Sequence, residues 1–161
     1  MKKEFFYGFI MMLSFSLMST TCSSDDDGGS FNDNSQEIAE IENAVELGSW
    51  IITSYIDSGD NETNDFTGYS FTFEANGTLT ATNGTTTYSG TWSVTDDSSS
   101  SDDSNSNDDI DFNISFPVPE SNVFEDLNDD WDIVSHSDTV LSLIDVSGGN
   151  GGTDTLVFEK N

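Results

Sequence analysis

The chain has 161 residues, which leaves room for one domain once short terminal segments are set aside. It carries 31 acidic residues against three lysines, and its formal net charge is −28. A chain with this charge repels phosphate backbones and anionic membrane surfaces, so nucleic acid is excluded as a partner. Cys22 is the only cysteine, which excludes a fold held together by its own disulfides.

Residues 1–21 have the pattern of a signal peptide. Lys2 and Lys3 precede the apolar stretch Phe5–Leu17, and small polar residues then lead to Cys22. The apolar stretch is shorter than the roughly 20 residues that a membrane-spanning helix needs. The segment resembles the leader of bacterial lipoproteins, in which the cysteine is acylated and becomes the new N-terminus. The resemblance implies a lipid anchor on Cys22 and a location in the cell envelope, at the outer membrane.

Residues 22–34 are rich in serine, glycine and aspartate, a composition typical of a flexible, self-repelling tether. This segment resembles the tethers and surface-export signals of some Gram-negative lipoproteins, which would place the domain on the cell surface. It equally fits a spacer with no sorting role. The sequence leaves both interpretations open.

A short helix is predicted from Gln36 to about Leu47. Asn34 is its expected N-cap, Glu37 stands at the capping-box position, and Gly48 ends it. The apolar residues of this segment recur at helical spacing and form one stripe: Ile38, Ile41 and Val45.

From Trp50 onward, apolar and polar residues alternate, which indicates strands with one buried and one solvated face. Eight such runs are predicted: 50–56, 68–74, 77–82, 85–94, 110–116, 131–135, 140–145 and 155–159. No helical pattern separates them, so residues 35–161 are expected to form an all-β, eight-stranded antiparallel up-and-down barrel. The low-complexity acidic segment 95–109 is predicted to be a disordered loop.

Several short motifs carry a resemblance to lipocalins. Gly48-Ser49-Trp50, at the start of the first strand, resembles the G-x-W signature of that family. The later segments 73–78, 88–92, 141–143 and 156–158 look like the lipocalin-like domains of bacterial lipoproteins. The resemblance implies that Trp50 closes one end of the barrel. Lys160 stands in for the arginine that usually stacks on this tryptophan, a cation–π contact.

Two interpretations of the barrel interior remain open. An apolar pocket for one small hydrophobic molecule would be lined by inward aromatic residues: Phe71, Phe73, Tyr88, Trp92, Phe112, Phe116 and Trp131. Alternatively, these bulky side chains fill the interior of a narrow barrel and leave no cavity.

The acidic segment offers oxygen ligands for calcium without matching an EF-hand loop. Its candidate ligands are Asp96, Asp97, Asp103, Asp108 and Asp109. A weak calcium site and a solvated spacer both fit this composition. No other cofactor is expected.

The sequence gives no sign of catalysis. The only histidine, His136, lies in a polar link, and no cysteine or G-x-S-x-G turn accompanies it, so a hydrolase triad and a zinc site are not expected. We therefore expect a monomeric, non-enzymatic lipoprotein that binds a small apolar molecule. The alternative is a closed-core structural or interaction module that displays acidic loops to a partner or to calcium. A third, minor interpretation is an enzyme that uses paired carboxylates.

Overall fold

The computed structural model describes residues 34–96, 110–146 and 152–161, all within one compact unit, Asn32–Asn161. The predicted signal peptide, Cys22 and nearly all of the tether lie outside the described residues, as does the acidic segment from residue 97 to residue 109. The predictions about those segments stay predictions. Within the described ranges, no helix is long and apolar enough to cross a membrane.

The predicted helix is α1, Ser35–Val45. Ile41 and Val45 are buried, as the apolar stripe predicts. The predicted cap is wrong in its chemistry, because the Asn34 side chain makes no capping hydrogen bond. Asn34 Nδ2 instead donates to Asp96 Oδ1 at 3.5 Å, and the Asn34 carbonyl accepts the bond from Ile38 N.

In the part of the chain that the structure describes, nine strands follow α1: β1 Trp50–Asp57, β2 Asp60–Asn61, β3 Ser70–Phe73, β4 Thr78–Thr82, β5 Thr87–Asp96, β6 Ile110–Ser115, β7 Asp129–His136, β8 Val140–Asp145 and β9 Asp154–Lys160. Each long strand pairs antiparallel with the next, and β1 pairs with β9, from Trp50 opposite Lys160 to Ile56 opposite Thr155. This pairing closes the sheet into an eight-stranded antiparallel barrel, with β2 as an extra edge strand on β1. The predicted lipocalin-like architecture is confirmed.

The strand boundaries differ from the prediction mainly at the turns. In the β3–β4 hairpin, Gly77 N bonds to Glu74 O and Glu74 N bonds to Thr78 O, which is a three-residue turn rather than a two-residue one. Gly77 alone adopts a positive φ there, at 81°. Thr95 and Asp96, predicted to belong to the acidic loop, continue β5.

One irregularity in β1 changes which side chains point inward. The register between β1 and β9 shifts between Ile52 and Ser54, which marks a β-bulge. After the bulge, Tyr55 is buried while Ser54 is only half-buried. Strict alternation from Trp50 would have placed Ser54 inside and Tyr55 outside.

The alternating strand directions divide the connections between two ends of the barrel. The helix end holds α1, the start of β1, the end of β5 and the β3–β4 and β7–β8 connections. The loop end holds the β4–β5 connection, a 3₁₀ turn at Thr63–Phe66 and the segment 117–128 between β6 and β7. The apolar core fills the space between these two ends.

Candidate functional site

The candidate site is the barrel interior, where the seven predicted ligand-binding residues converge. Six of them are at most 6% exposed, and Tyr88 is partly buried against the same core. They pack ring against ring. Phe73 lies edge-on to Trp92, Phe112 and Phe158, with centroids 5.5 to 5.6 Å apart. Such aromatic pairs each contribute about 0.5–1.5 kcal/mol beyond the area they bury.

Phe124 fills the loop end of this interior. Its ring stacks on Tyr88, with centroids 4.2 Å apart, and lies edge-on to Tyr69 at 4.9 Å and to Phe116 at 5.1 Å. It also contacts Phe66, and it is 1% exposed. The position where a ligand would enter an open barrel is therefore occupied by a side chain of the protein.

Phe124 belongs to residues 117–128, which we call the mouth loop. Asn128 joins the base of this loop: its Oδ1 accepts from Phe116 N, and its Nδ2 donates to Phe116 O at 3.0 Å. Tyr55 donates its hydroxyl to Asp126 O at 2.8 Å, and Trp131 Nε1 donates to Leu127 O at 3.1 Å. A compact loop with joined ends, packed by its own side chains, is an Ω-loop.

The helix end is closed differently. Trp50 is fully buried, and its Nε1 donates to Val45 O at 2.8 Å, which fixes the last turn of α1 against the start of β1. Lys160 Nζ lies 5.0 Å from the centroid of the Trp50 ring, the contact that the sequence predicts. His136 lies beside α1 at the same end, where its Nε2 is 3.9 Å from Glu37 Oε1.

Acidic side chains crowd the loop end. Partial desolvation, together with repulsion from Glu125, Asp57 and Asp65, raises the pKa of Asp126. Desolvation and the neighbouring carboxylates also raise the pKa of Glu62. Like charges at this spacing disfavour the ionised forms. The mouth loop therefore closes against electrostatic repulsion from β1 and the 3₁₀ turn.

A second cluster of carboxylates at this end lies between strands. Asp145 and Asp154 face each other across β8 and β9 and are 7% and 8% exposed. Asp154 Oδ1 accepts from Ser58 N at 2.7 Å. Burial, followed by a side-chain hydrogen bond with Asp130 and by the charge and hydrogen bond of Asp145, raises the pKa of the half-buried Asp129 to about 7, against the opposing effect of the bond from Asp130 N.

The candidate calcium ligands cannot be assembled from the described chain. Asp97, Asp103, Asp108 and Asp109 lie outside the described residues, and Asp96 is exposed at the end of β5. Among the residues that the structure describes, no group of three or more histidine, cysteine, aspartate or glutamate side chains is placed to hold a metal ion. The calcium site stays a prediction about the acidic segment.

Sequence reasoning missed several residues of the closed interior. Phe124 and Leu127 are fully buried from the mouth loop, and Phe66 is buried from the 3₁₀ turn. These segments have no two-residue period, so alternation could not assign a direction to their side chains. The available signal was weaker: two large apolar residues, three positions apart, in a connection that also carries three acidic residues.

The barrel has a structural neighbour among solved proteins. No family model matches the chain, and no curated protein matches it. A crystal structure of a DUF4847 family protein from Bacteroides vulgatus ATCC 8482 is similar to 75% of this chain and to 97% of its own length. The sequence identity is 19% and the TM-score 0.47.

Proposed function

We propose that the chain is a lipid-anchored, non-catalytic module of the cell envelope whose β-barrel has a closed core in its resting state. Such a module acts through its acidic surface and its loops, as a structural or interaction protein, rather than as a carrier with a preformed cavity. The lipid on Cys22 would hold it at the outer membrane through the tether 22–34. Several acyl chains would make the attachment stable, because a single chain binds membranes only marginally.

The observation that supports the closed core is the packing of Phe124 with its neighbours. The inward aromatic rings contact one another through the length of the barrel, and Phe124 covers the loop end. Protein interiors packed in this way leave few voids larger than a water molecule. An apolar ligand would have to displace a side chain before it could enter.

Rapid mixing with apolar fluorescent probes tests the closed core, with Trp50, Trp92 and Trp131 as internal reporters. A closed core predicts no saturable change in tryptophan emission within the mixing time of the instrument. An immediate, saturable change at stoichiometric protein would show a preformed cavity and overturn the proposal.

Metabolic labelling with a fatty acid tests the anchor. The full chain should take up the label, and Cys22→Ala should abolish it. Ser23→Ala is the matched control and should be labelled like the unchanged chain. Labelling that persists in Cys22→Ala would refute lipidation at this residue.

A second candidate function, binding of a small apolar molecule, is favoured by the way in which the loop end is closed. The side chain that fills it comes from a loop and not from a paired strand. A loop can move aside without breaking the sheet, and compact surface loops of this kind are frequently functional.

A further inference from the structure

The mouth loop is joined to the barrel by side-chain hydrogen bonds. Its backbone hydrogen bonds are local: Asn122 N donates to Pro119 O, Glu125 N to Asn122 O, and Asn128 N to Glu125 O. The loop can therefore move about its base as a unit without breaking these local backbone bonds.

Three side-chain bonds join the loop to neighbouring strands. The Tyr55 hydroxyl donates to Asp126 O, Trp131 Nε1 donates to Leu127 O, and Asn122 Nδ2 donates to the Tyr88 hydroxyl at 3.3 Å. Opening the loop would break these three bonds and the ring contacts of Phe124, and it would expose the buried Leu127. It would leave the hydrogen-bonded ladders of the barrel intact.

Opening of the mouth loop would leave a site with the shape of the Phe124 ring. Tyr88 offers a stacking surface, and Tyr69, Phe116 and Phe66 offer edges around it. A planar aromatic group fits these walls because it repeats the contacts that Phe124 makes. Offset stacking and edge-to-face contacts are the favoured arrangements for such rings.

The charge around the loop end selects among aromatic ligands. Glu62, Asp65, Glu125 and Asp126 surround it, and the described part of the chain places its lysine, Lys160, at the helix end. An anionic molecule would be repelled by these carboxylates. A cationic one would be attracted and would also gain cation–π contacts with the tyrosines.

We propose that the mouth loop is a gate, and that its opening admits a small planar aromatic molecule carrying a positive charge to the position of Phe124. This inference rests on the second candidate function and adds the gate and the charge of the ligand. The carboxylates that attract the cation also repel one another, and this repulsion favours the open loop. Binding of a cation offsets that repulsion, and the aromatic ring of the ligand then occupies the position of the buried Phe124 ring.

Stopped-flow tryptophan fluorescence tests the gate on the chain that begins at residue 22, with Cys22→Ser, because it retains the whole compact unit Asn32–Asn161. The probes are three naphthalene derivatives of equal ring size: naphthylmethylammonium, naphthylmethanol and naphthylacetate. A gate predicts a slow saturable phase whose rate levels off at high probe concentration. The cationic probe should bind about tenfold more tightly than the anionic one at low salt, and the ratio should shrink in 1 M salt because screening shortens the range of the field.

Two variants locate the gate. Asn128→Ala removes both bonds at the base of the mouth loop and should raise the limiting rate severalfold. Asn122→Ala removes the 3.3 Å bond to Tyr88 and the bond that Asn122 Oδ1 accepts from Phe124 N. It should also raise the limiting rate, so it serves if Asn128→Ala fails to fold. Asn76→Ala, which loses a comparable bond to Thr78 N at the helix end, is the matched control and should leave the rate unchanged.

The outcomes separate the two proposals. No saturable response to any probe, with or without Asn128→Ala or Asn122→Ala, would overturn the gate while the closed core stands. A response complete within the mixing time would overturn both. Equal acceleration by Asn76→Ala would show that the rate reports general loosening of the barrel and would remove the gate. Tightest binding of naphthylacetate would overturn the assignment of a cationic ligand.

Discussion

The two ends of the barrel are closed by different means. At the helix end, a regular element covers the core, and a specific bond from the indole of Trp50 to Val45 O fixes it. At the loop end, an irregular segment covers the core with the ring of Phe124, among carboxylates that repel one another. Apolar burial stabilises both closures, and at the loop end repulsion between carboxylates opposes it. We therefore expect the helix end to be the permanent closure and the loop end to be the one that responds to pH, salt and ligand.

The largest expected effect is at the helix end. Trp50→Ala removes a fully buried indole and the bond to Val45 O, so we expect it to lower the free energy of unfolding by about 3–5 kcal/mol. Urea denaturation followed by circular dichroism measures this loss. Trp50→Phe keeps a ring and should cost less. If Trp50→Ala costs under about 1 kcal/mol, the helix end is not the firm closure described above.

Asp129→Asn should act in the opposite direction at the loop end. The folded state holds a proton on Asp129 up to a pKa of about 7, whereas the ordinary value is 3.8. Stability therefore falls as pH rises from about 4 to 7, because the folded state must release a proton that it binds more tightly than the unfolded state does. Asparagine cannot ionise and removes this penalty.

Solvent screening limits the size of this effect, because Asp129 is only half-buried. We expect Asp129→Asn to raise the free energy of unfolding by about 1–2 kcal/mol at pH 8 and to change it little at pH 3. Denaturation at both pH values measures the difference. Asp138→Asn, at an exposed position between β7 and β8, is the control, and an equal gain from it at pH 8 would assign the effect to net charge alone.

Lys160→Met tests the contact over the Trp50 ring. The methionine keeps most of the apolar stem and removes the charge, so a loss of about 0.5–1 kcal/mol is expected. Thermal unfolding should detect it, and Lys160→Arg should retain the stability. An unchanged midpoint for Lys160→Met would mean that the cation contributes nothing to the helix end.

The smallest expected effect is at the start of α1. A capping asparagine is worth about 1 kcal/mol, but Asn34 makes no side-chain capping bond. Asn34→Ala should therefore change the free energy of unfolding by less than about 0.5 kcal/mol. Gln36→Ala, at an exposed helical position nearby, is the comparison. A loss near 1 kcal/mol for Asn34→Ala alone would restore the cap that the sequence predicts.

The sequence was sufficient where the period of two was unbroken. β6 was predicted within one residue of its observed bounds, Ile110–Ser115, because Ile110, Phe112 and Ile114 alternate with polar residues. Closure of the sheet followed from the number and order of such runs.

Prediction failed where the period is interrupted or absent. The bulge in β1 turned Tyr55 inward, and no residue type in that strand predicts a register shift. Phe124 was missed because the mouth loop has no repeating pattern, and its position depends on Asn128 bonding back to Phe116, a contact between residues twelve positions apart. The seven inward residues were placed correctly as a group, but a list of side-chain sizes could not show that a loop would supply the last ring.

The position of Lys160 has a practical consequence for handling the protein. Between Lys3 and Lys160 the chain has no lysine or arginine, so a trypsin-like protease finds no cleavage site in the whole interval. The amine of Lys160 itself lies over an indole at the end of a paired strand. Trypsin shaving of intact cells and mass spectrometry of tryptic peptides would both overlook this domain. Digestion next to acidic residues would reveal it.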